Sequence, residues 1–345
     1  MVVSVRDLEF FLTKLNSGAA GFKEVIAPHK IQSSKPAKPS FRFDKLKDGN
    51  APALNSYRSI DPVKILFYLM REKVYPVQDT APKRIIAGVK ACDLKALLLI
   101  DKAMLESGFT DPAYYQWRKN ALIISADCDE ICETCHCNIV GGKPYSDKGF
   151  DVNLSRVNNH YILAAGSAQG SEFIELLKKE VSVKENSPED EQHLSEKRKK
   201  VFDLLVNQNE KYNRPDDYSG FRKVKTDVWE EESKDCVGCG ACTNICPTCY
   251  CLILNDESIK EQFVKVRSYD SCQWFGYARV AGGGSPRHKM TERFRNRYLC
   301  KFDYMRHNFG ELGCTGCGRC TEACTAQIDF RKAVKNISNS VLVKS

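Results

Sequence analysis

The sequence predicts an α+β fold in two parts, on the evidence of its apolar runs and its cysteine positions. Short, continuous apolar runs alternate with amphipathic helical segments over the first half of the 345 residues. Five cysteines lie between 92 and 137, none between 138 and 235, and twelve between 236 and 324. The expected organisation is an N-terminal α/β domain over 1–187, a connecting helix and linker over 188–220, and a helical, cysteine-rich domain over 221–345.

The elements follow in chain order. Residues 29–55, rich in Lys, Pro and Ser, read as a loop or an extended edge. Asp61-Pro62 ahead of Val63, Ile65, Leu66, Leu69 and Met70 predicts a helix with proline in its first turn. Ile85–Val89 and Ala121–Ser125 read as buried strands. Between them Leu94–Leu105 has helical spacing, with Asp93 as its N-cap. Tyr161–Ala165 is a further strand. Ser187-Pro188-Glu189-Asp190 opens a charged helix that runs to about 210 and links the two parts. Beyond it the strand signal fades, and Lys223–Lys234, Met290–His307 and the tail from Lys332 all read as helical.

Composition narrows the function classes. Hydrophobic residues make up 42%, enough for a sizeable core, and charged residues 28%, at a mean hydropathy of −0.41. That balance excludes a multi-span membrane protein and a disordered chain. The apolar run Leu8–Leu12 is broken by Glu9 and followed by Lys14, too short for a signal-peptide core or a membrane anchor, so a cytoplasmic location is expected, with no membrane insertion. The net charge of +8 comes with no aromatic-laced basic tail, so nucleic acid is not an expected partner. In a reducing compartment, 17 cysteines in a chain this long read as metal ligands rather than disulfides.

Their spacing specifies the metal chemistry. Cys236-x2-Cys239-x2-Cys242-x3-Cys246-Pro247 is a bacterial ferredoxin run, and Cys314-x2-Cys317-x2-Cys320-x3-Cys324 repeats it. In each run three thiolates wrap one [4Fe–4S] cubane while the fourth reaches the other cluster. The expected sets are therefore Cys236, Cys239, Cys242 and Cys324 for the first cluster, and Cys314, Cys317, Cys320 and Cys246 for the second. The C-terminal part is thus expected to be a helical dicluster ferredoxin-like domain. Zinc ribbons, the competing reading, use paired CxxC knuckles instead of four-cysteine runs.

Nine cysteines remain. Cys92 follows one predicted strand, and Cys128, Cys135 and Cys137 follow another, so all four fall at the carboxyl edge of a parallel sheet, where such sheets place ligands. They could hold a third cluster, or they could be ordinary buried thiols. Cys249, Cys251, Cys272 and Cys300 form a possible fourth set, with lining of the core as the alternative. Cys132 is left over. The Gly282–Gly284 stretch matches no phosphate-binding loop and reads as a tight turn. The basic segment Arg287–Arg306 either offsets cluster charge or docks an acidic subunit. No histidine, including His136, has a setting for acid–base catalysis, and no catalytic residue is assigned.

The blocks Gly88–Leu94 (GVKACDL), Cys128–Cys137, Gly149–Val152, Cys246–Cys251 (CPTCYC), Asp270–Gly276 (DSCQWFG), Ala281–Gly283 and Arg293–Cys324 together resemble the iron–sulfur β subunit of soluble NAD(P)-linked sulfhydrogenases. They are equally similar to the A subunit of anaerobic sulfite reductases. The resemblance spans about residues 80–330. It implies an electron-relay subunit between a flavin/NAD(P)-binding subunit and a terminal redox subunit of hydrogenase or sulfite reductase type, with no organic substrate of its own. It also supports the third set, since Cys92, Cys128, Cys135 and Cys137 match the family pattern. Three positions depart from it: Thr325 replaces a proline, Cys300 stands where relatives carry histidine, and Cys132 is additional. Exchanging histidine for cysteine preserves a ligand and so favours the fourth set. The rival readings are a subunit of a flavin-linked heterodisulfide-reductase-type complex, an iron–sulfur enzyme with an open cluster site, and a redox-silent zinc scaffold.

Overall fold

The computed structural model describes residues 1–31, 39–47, 49–77, 81–212, 218–259 and 261–342. Its first half runs β1 (Val2–Ser4), α1 (Val5–Asn16), β2 (Glu24–Ile31), β3 (Ser40–Lys45), β4 (Arg71–Tyr75), β5 (Arg84–Val89), α2 (Ala91–Met104), α3 (Pro112–Lys119), β6 (Ala121–Ala126), β7 (Val152–Val157), β8 (His160–Ala165) and α4 (Ala168–Glu180). A long helix, α5 (Pro188–Asn209), follows. The remainder comprises α6 (Thr226–Ser233), α7 (Ala241–Asn244), β9 (Leu252–Ile259), β10 (Gln262–Tyr269), α8 (Met290–Leu299), α9 (Met305–Phe309), α10 (Arg319–Glu322) and α11 (Phe330–Leu342). Among the described residues no helix is long and apolar enough to cross a membrane.

Seven strands form one sheet in the order β1-β8-β7-β6-β5-β2-β3. Its centre, β2, β5, β6 and β7, is parallel, and β1, β8 and β3 join antiparallel. Every residue of β5 and β6 is buried, which is why these strands read as unbroken apolar runs without alternation. One face packs Leu8, Phe11, Leu12 and Leu15 of α1 and Phe173, Ile174 and Leu177 of α4. The other packs Leu94, Leu97 and Ile100 of α2 and Tyr114 of α3. An α+β chain results, with the sheet in the N-terminal half and the helices gathered around the C-terminal cysteines. The expected extended edge at 29–55 includes β2's end and the edge strand β3, although 32–38 and 48 lie outside the described residues.

Three expectations are corrected. Residues 63–70 make only a 3₁₀ turn, Val63–Leu66, because the chain must straighten at once into β4 and because Lys64 points inward. Asp93 does not cap α2: Lys90 occupies that position, and Asp93, in the first turn, is fully buried. The C-terminal part contains a hairpin, β9–β10, that the pattern did not predict. Most of β9 is exposed, so it carries no apolar alternation. The hairpin pairs antiparallel with β4 from the other half, giving a three-stranded sheet in the order β4-β10-β9. Arg267 of β10, wholly buried, pins this junction by ion pairs with Asp111 ahead of α3 and Glu72 of β4, and its guanidinium lies 4.1 Å from the centre of the Tyr68 ring.

Asp151 closes the sheet edge near α4. Its carboxylate accepts hydrogen bonds from the amide of Ile123 (2.7 Å) and from Ser167 Oγ (2.5 Å), and Ser167 caps α4 through the amide of Gly170. The helix sits so close that a Cβ on Gly170 would stand 1.7 Å from the Asp151 carbonyl oxygen. Gly170→Ala should therefore destabilise the protein by about 3 kcal/mol, measured by denaturant unfolding under anaerobic conditions. Gly108→Ala, at a site with open space, serves as the control and should change little.

Candidate iron–sulfur centres

Each ferredoxin run is a turn closed by two left-handed glycines and a single helical turn. Gly238 and Gly240 have φ of 67° and 78°, and Gly316 and Gly318 repeat them at 69° and 73°. The first run starts as α6 ends, with the amide of Cys236 bonded to Ser233 O at 2.9 Å, and places Cys242 on α7. The second places Cys320 on α10. Cys236 lies within electrostatic reach of Cys239 and of Cys324 from the other run. Cys246, in turn, lies beside Cys314, Cys317 and Cys320. Thr325, which replaces the expected proline, has its hydroxyl 3.7 Å from Cys239 Sγ, so it faces the opposite run.

The N-terminal cysteines meet the second run directly. Cys92 sits in the first turn of α2, and Cys128 follows β6. Both are at the carboxyl ends of adjacent parallel strands, and Cys92 and Cys137 each lie within reach of Cys128 and Cys317. Cys135 is next to Cys137 on one side and hydrogen-bonded to Cys132 on the other. The amide of His136 donates to Gly316 O at 2.8 Å, and the ring's Nε2 is 3.8 Å from Cys314 Sγ. Any side chain at Gly316 would place a Cβ 2.3 Å from Cys137 Cα, and one at Gly318 would place it 2.2 Å from Thr134 O. Only glycine permits this approach.

In the remaining set, Cys251 and Cys272 are hydrogen-bonded and Cys300 is close to both. Cys249 sits one turn after Cys246 and bonds to it, with Lys64 and Lys301 close by, so the structure groups it with Cys246. Cys132 lies between Cys135, to which it is bonded, and Glu322 Oε1 (2.7 Å) and Arg58 Nη2 (3.5 Å). Among the described residues no three His, Cys, Asp or Glu side chains converge on a single-ion position. A cubane asks for a different arrangement, four thiolates spread around a many-atom cluster.

The electrostatics favour such a group. Burial pushes the thiols of Cys314 and Cys320 up to about 11 and about 12. As free thiols they would stay protonated, and metal coordination is what turns buried cysteines into thiolates. Four buried cations lie among the thiols: Lys301 near Cys314, Arg297 near Cys320, Lys64 near Cys246 and Cys249, and Lys90 near Cys92 and Cys128. None of the four has a carboxylate partner among the ion pairs of the described residues. Lys64 Nζ donates to Cys249 O at 2.8 Å, and Lys301 Nζ donates to Thr248 Oγ1 at 2.7 Å. Arg297 lies near Cys242 and Cys320 with its Nε unpartnered, and the neighbouring negative sulfurs hold its guanidinium charged. Buried cations are tolerated only opposite negative charge, and a thiolate-ligated cluster supplies it.

Two further buried arginines hold the halves together. Arg319, between Cys317 and Cys320, makes a two-pronged pair with Asp93 of α2 at 2.8 and 2.7 Å and donates to Ser59 O at 2.9 Å. Arg58 donates to Cys317 O at 2.6 Å and pairs with Glu322 at 2.8 Å. Sequence reasoning missed Arg58, Lys64, Lys90 and Arg319, since a lone cation carries no spacing signal. It did single out the basic segment 287–306. There Arg297 and Lys301 are buried toward sulfur and so offset charge.

Two outcomes follow. Asp93→Ala leaves Arg319 buried without its counter-ion and should cost about 3–5 kcal/mol, read by denaturant unfolding. Lys301→Met should leave the iron content intact and make reduction of the cluster nearest Cys246 about tenfold harder, about 59 mV for a one-electron couple, read by an EPR-monitored redox titration.

Comparison with known proteins agrees with this arrangement. Residues 235–328 match the 4Fe-4S dicluster domain family. No solved structure matches the chain. The sulfhydrogenase 2 subunit beta of Pyrococcus furiosus is 31% identical over 312 residues, covering 88% of this chain and 90% of that protein. With that identity over nearly the whole of both chains, the protein belongs to the sulfhydrogenase β-subunit family, iron–sulfur electron-transfer proteins carrying a 4Fe–4S dicluster domain.

Proposed function

We propose that the protein is the electron-relay subunit of a multi-subunit oxidoreductase, passing electrons between a flavin/NAD(P)-binding subunit and a terminal subunit of hydrogenase or sulfite reductase type. The observation that carries this reading is contiguity. The second ferredoxin run touches the first through the crossed fourth cysteines, the N-terminal cysteine loop through Gly316, and the remaining thiols through Cys246 and Cys249.

The residues proposed to hold clusters are Cys236, Cys239, Cys242 and Cys324; Cys314, Cys317, Cys320 and Cys246; Cys92, Cys128, Cys135 and Cys137; and Cys249, Cys251, Cys272 and Cys300. Bound there, the clusters supply one-electron exchange without bond making. The chain's part is to fix distance and potential. Its glycines bring the backbones of neighbouring sites together, its buried lysines and arginines balance the negative charge, and the aromatic core of Tyr218, Phe221, Trp229, Phe294, Tyr298 and Phe330 keeps water from the sulfurs packed against it.

Iron and acid-labile sulfide on the anaerobically purified chain test this. About sixteen irons per chain support all four sets, about twelve leave one structural, and about eight confine ligation to the ferredoxin runs. Cys92→Ser and Cys251→Ser should each remove about four irons. Zinc without sulfide would overturn the relay.

A further inference from the structure

Of the 17 cysteines only Cys239 is exposed. Large apolar side chains that a monomer would ordinarily cover lie around it: Val237 is 70% exposed, Phe275 47% and Trp274 40%. Trp274 is fixed to the first run, since its Nε1 donates to Cys239 O at 3.3 Å and a Cβ on Gly240 would meet that nitrogen at 2.6 Å.

From Trp274 the chain makes a loop that returns to the same place. Met290, at the start of α8, has its sulfur 3.0 Å from where a Gly238 Cβ would stand. Arg293 ties the loop down by donating to the carbonyls of Gln273 (3.0 Å), Arg287 (2.9 Å) and His288 (2.6 Å). The loop turns on Gly282 and Gly283 and exposes Val280. Between 279 and 289 it carries Arg279, Arg287, His288 and Lys289 and no acidic residue.

We propose that this apolar patch with a basic rim around Cys239 is the face on which an acidic redox protein docks to exchange single electrons with the relay. Three observations favour that occupant. The patch surrounds the most exposed of the ligand-type thiols. Its rim is net positive, Arg279, Arg287 and Lys289 standing against Glu292, which pairs with His288, and Asp235, and an excess of one sign steers and selects a partner of the opposite sign. Its small apolar centre suits the transient interfaces typical of electron transfer. The exchange moves one electron and neither breaks a bond nor moves a proton, so the partner's centre is reduced by one unit as the relay is oxidised by one.

The inference rests on the relay reading, and the test separates the two. The full chain, purified anaerobically with its clusters, is reduced with dithionite, freed of excess reductant and mixed in a stopped-flow instrument with ferricyanide, with hexaammineruthenium(III), or with oxidised flavodoxin, an acidic carrier protein. Failure to bleach with dithionite counts against the relay itself. Given bleaching, the Arg279→Glu/Lys289→Glu variant should match wild type in iron content. Its oxidation by ferricyanide and by flavodoxin should slow at least tenfold, its oxidation by the cationic ruthenium complex should not slow, and the differences should shrink at high salt. Lys199→Glu/Lys200→Glu, the same charge change on exposed positions of α5, should behave as wild type. Equal slowing in both variants would reduce the effect to net charge, and no slowing with flavodoxin would place the docking face elsewhere; either result overturns the proposal.

Discussion

The fold depends on balancing charge where sulfur is buried. Seventeen cysteines in one chain need a dry surrounding, and thiolate ligands in a dry surrounding need positive charge close by. Among the described residues Lys301 and Arg297 meet that need without an ion-paired carboxylate, while Arg58 and Arg319 do so with Glu322 and Asp93 as their own counter-ions. The two kinds of cation serve different ends. Lys301, which the surrounding sulfurs hold above its ordinary range against the effect of burial, leaves its charge to act on the cluster potential, whereas burial pushes Lys64 and Lys90 down, and a paired arginine acts chiefly as a rivet.

The cations also explain why the halves interlock. Arg58 and Lys64 come from the N-terminal half yet bond to carbonyls of Cys317 and Cys249. Arg319 comes from the second ferredoxin run yet pairs with a helix of the large sheet. Around these contacts the two halves exchange a strand as well, β4 lying against β10 with Arg267 buried at the join. Of the basic segment 287–306, for which the sequence left charge offset and docking both open, Arg297 and Lys301 are buried beside sulfur within the C-terminal half.

How much of this was legible in the sequence depended on whether the signal was periodic. β5, β6 and α5 were visible because buried parallel strands and a capped charged helix leave unbroken runs and a capping box. The two ferredoxin runs were visible because cluster ligation imposes spacing. The hairpin was not, because β9 is exposed along most of its length and its stability comes from a strand more than about 180 residues upstream, Lys265 of β10 pairing with Tyr75 of β4, beyond any local pattern. The helix expected at 63–70 failed for a related reason: Val63, Phe67 and Tyr68 do join one core cluster, but Lys64 is buried among them and the chain straightens into β4, which no local pattern announces. Lys64 and Lys90, among the most deeply buried cations, looked like ordinary surface lysines, since only the tertiary structure brings sulfur to them.

The 2.3 Å that a Cβ on Gly316 would leave to the backbone of Cys137 bears on how the molecule is built. The Cys137 loop closes over the second run like a stopper, and Arg58 and Arg319 then lock it. That approach couples two stretches of chain that lie far apart in sequence: a side chain at Gly316 would displace the loop carrying Cys135 and Cys137, so the glycine of one thiol site sets the position of its neighbour's ligands.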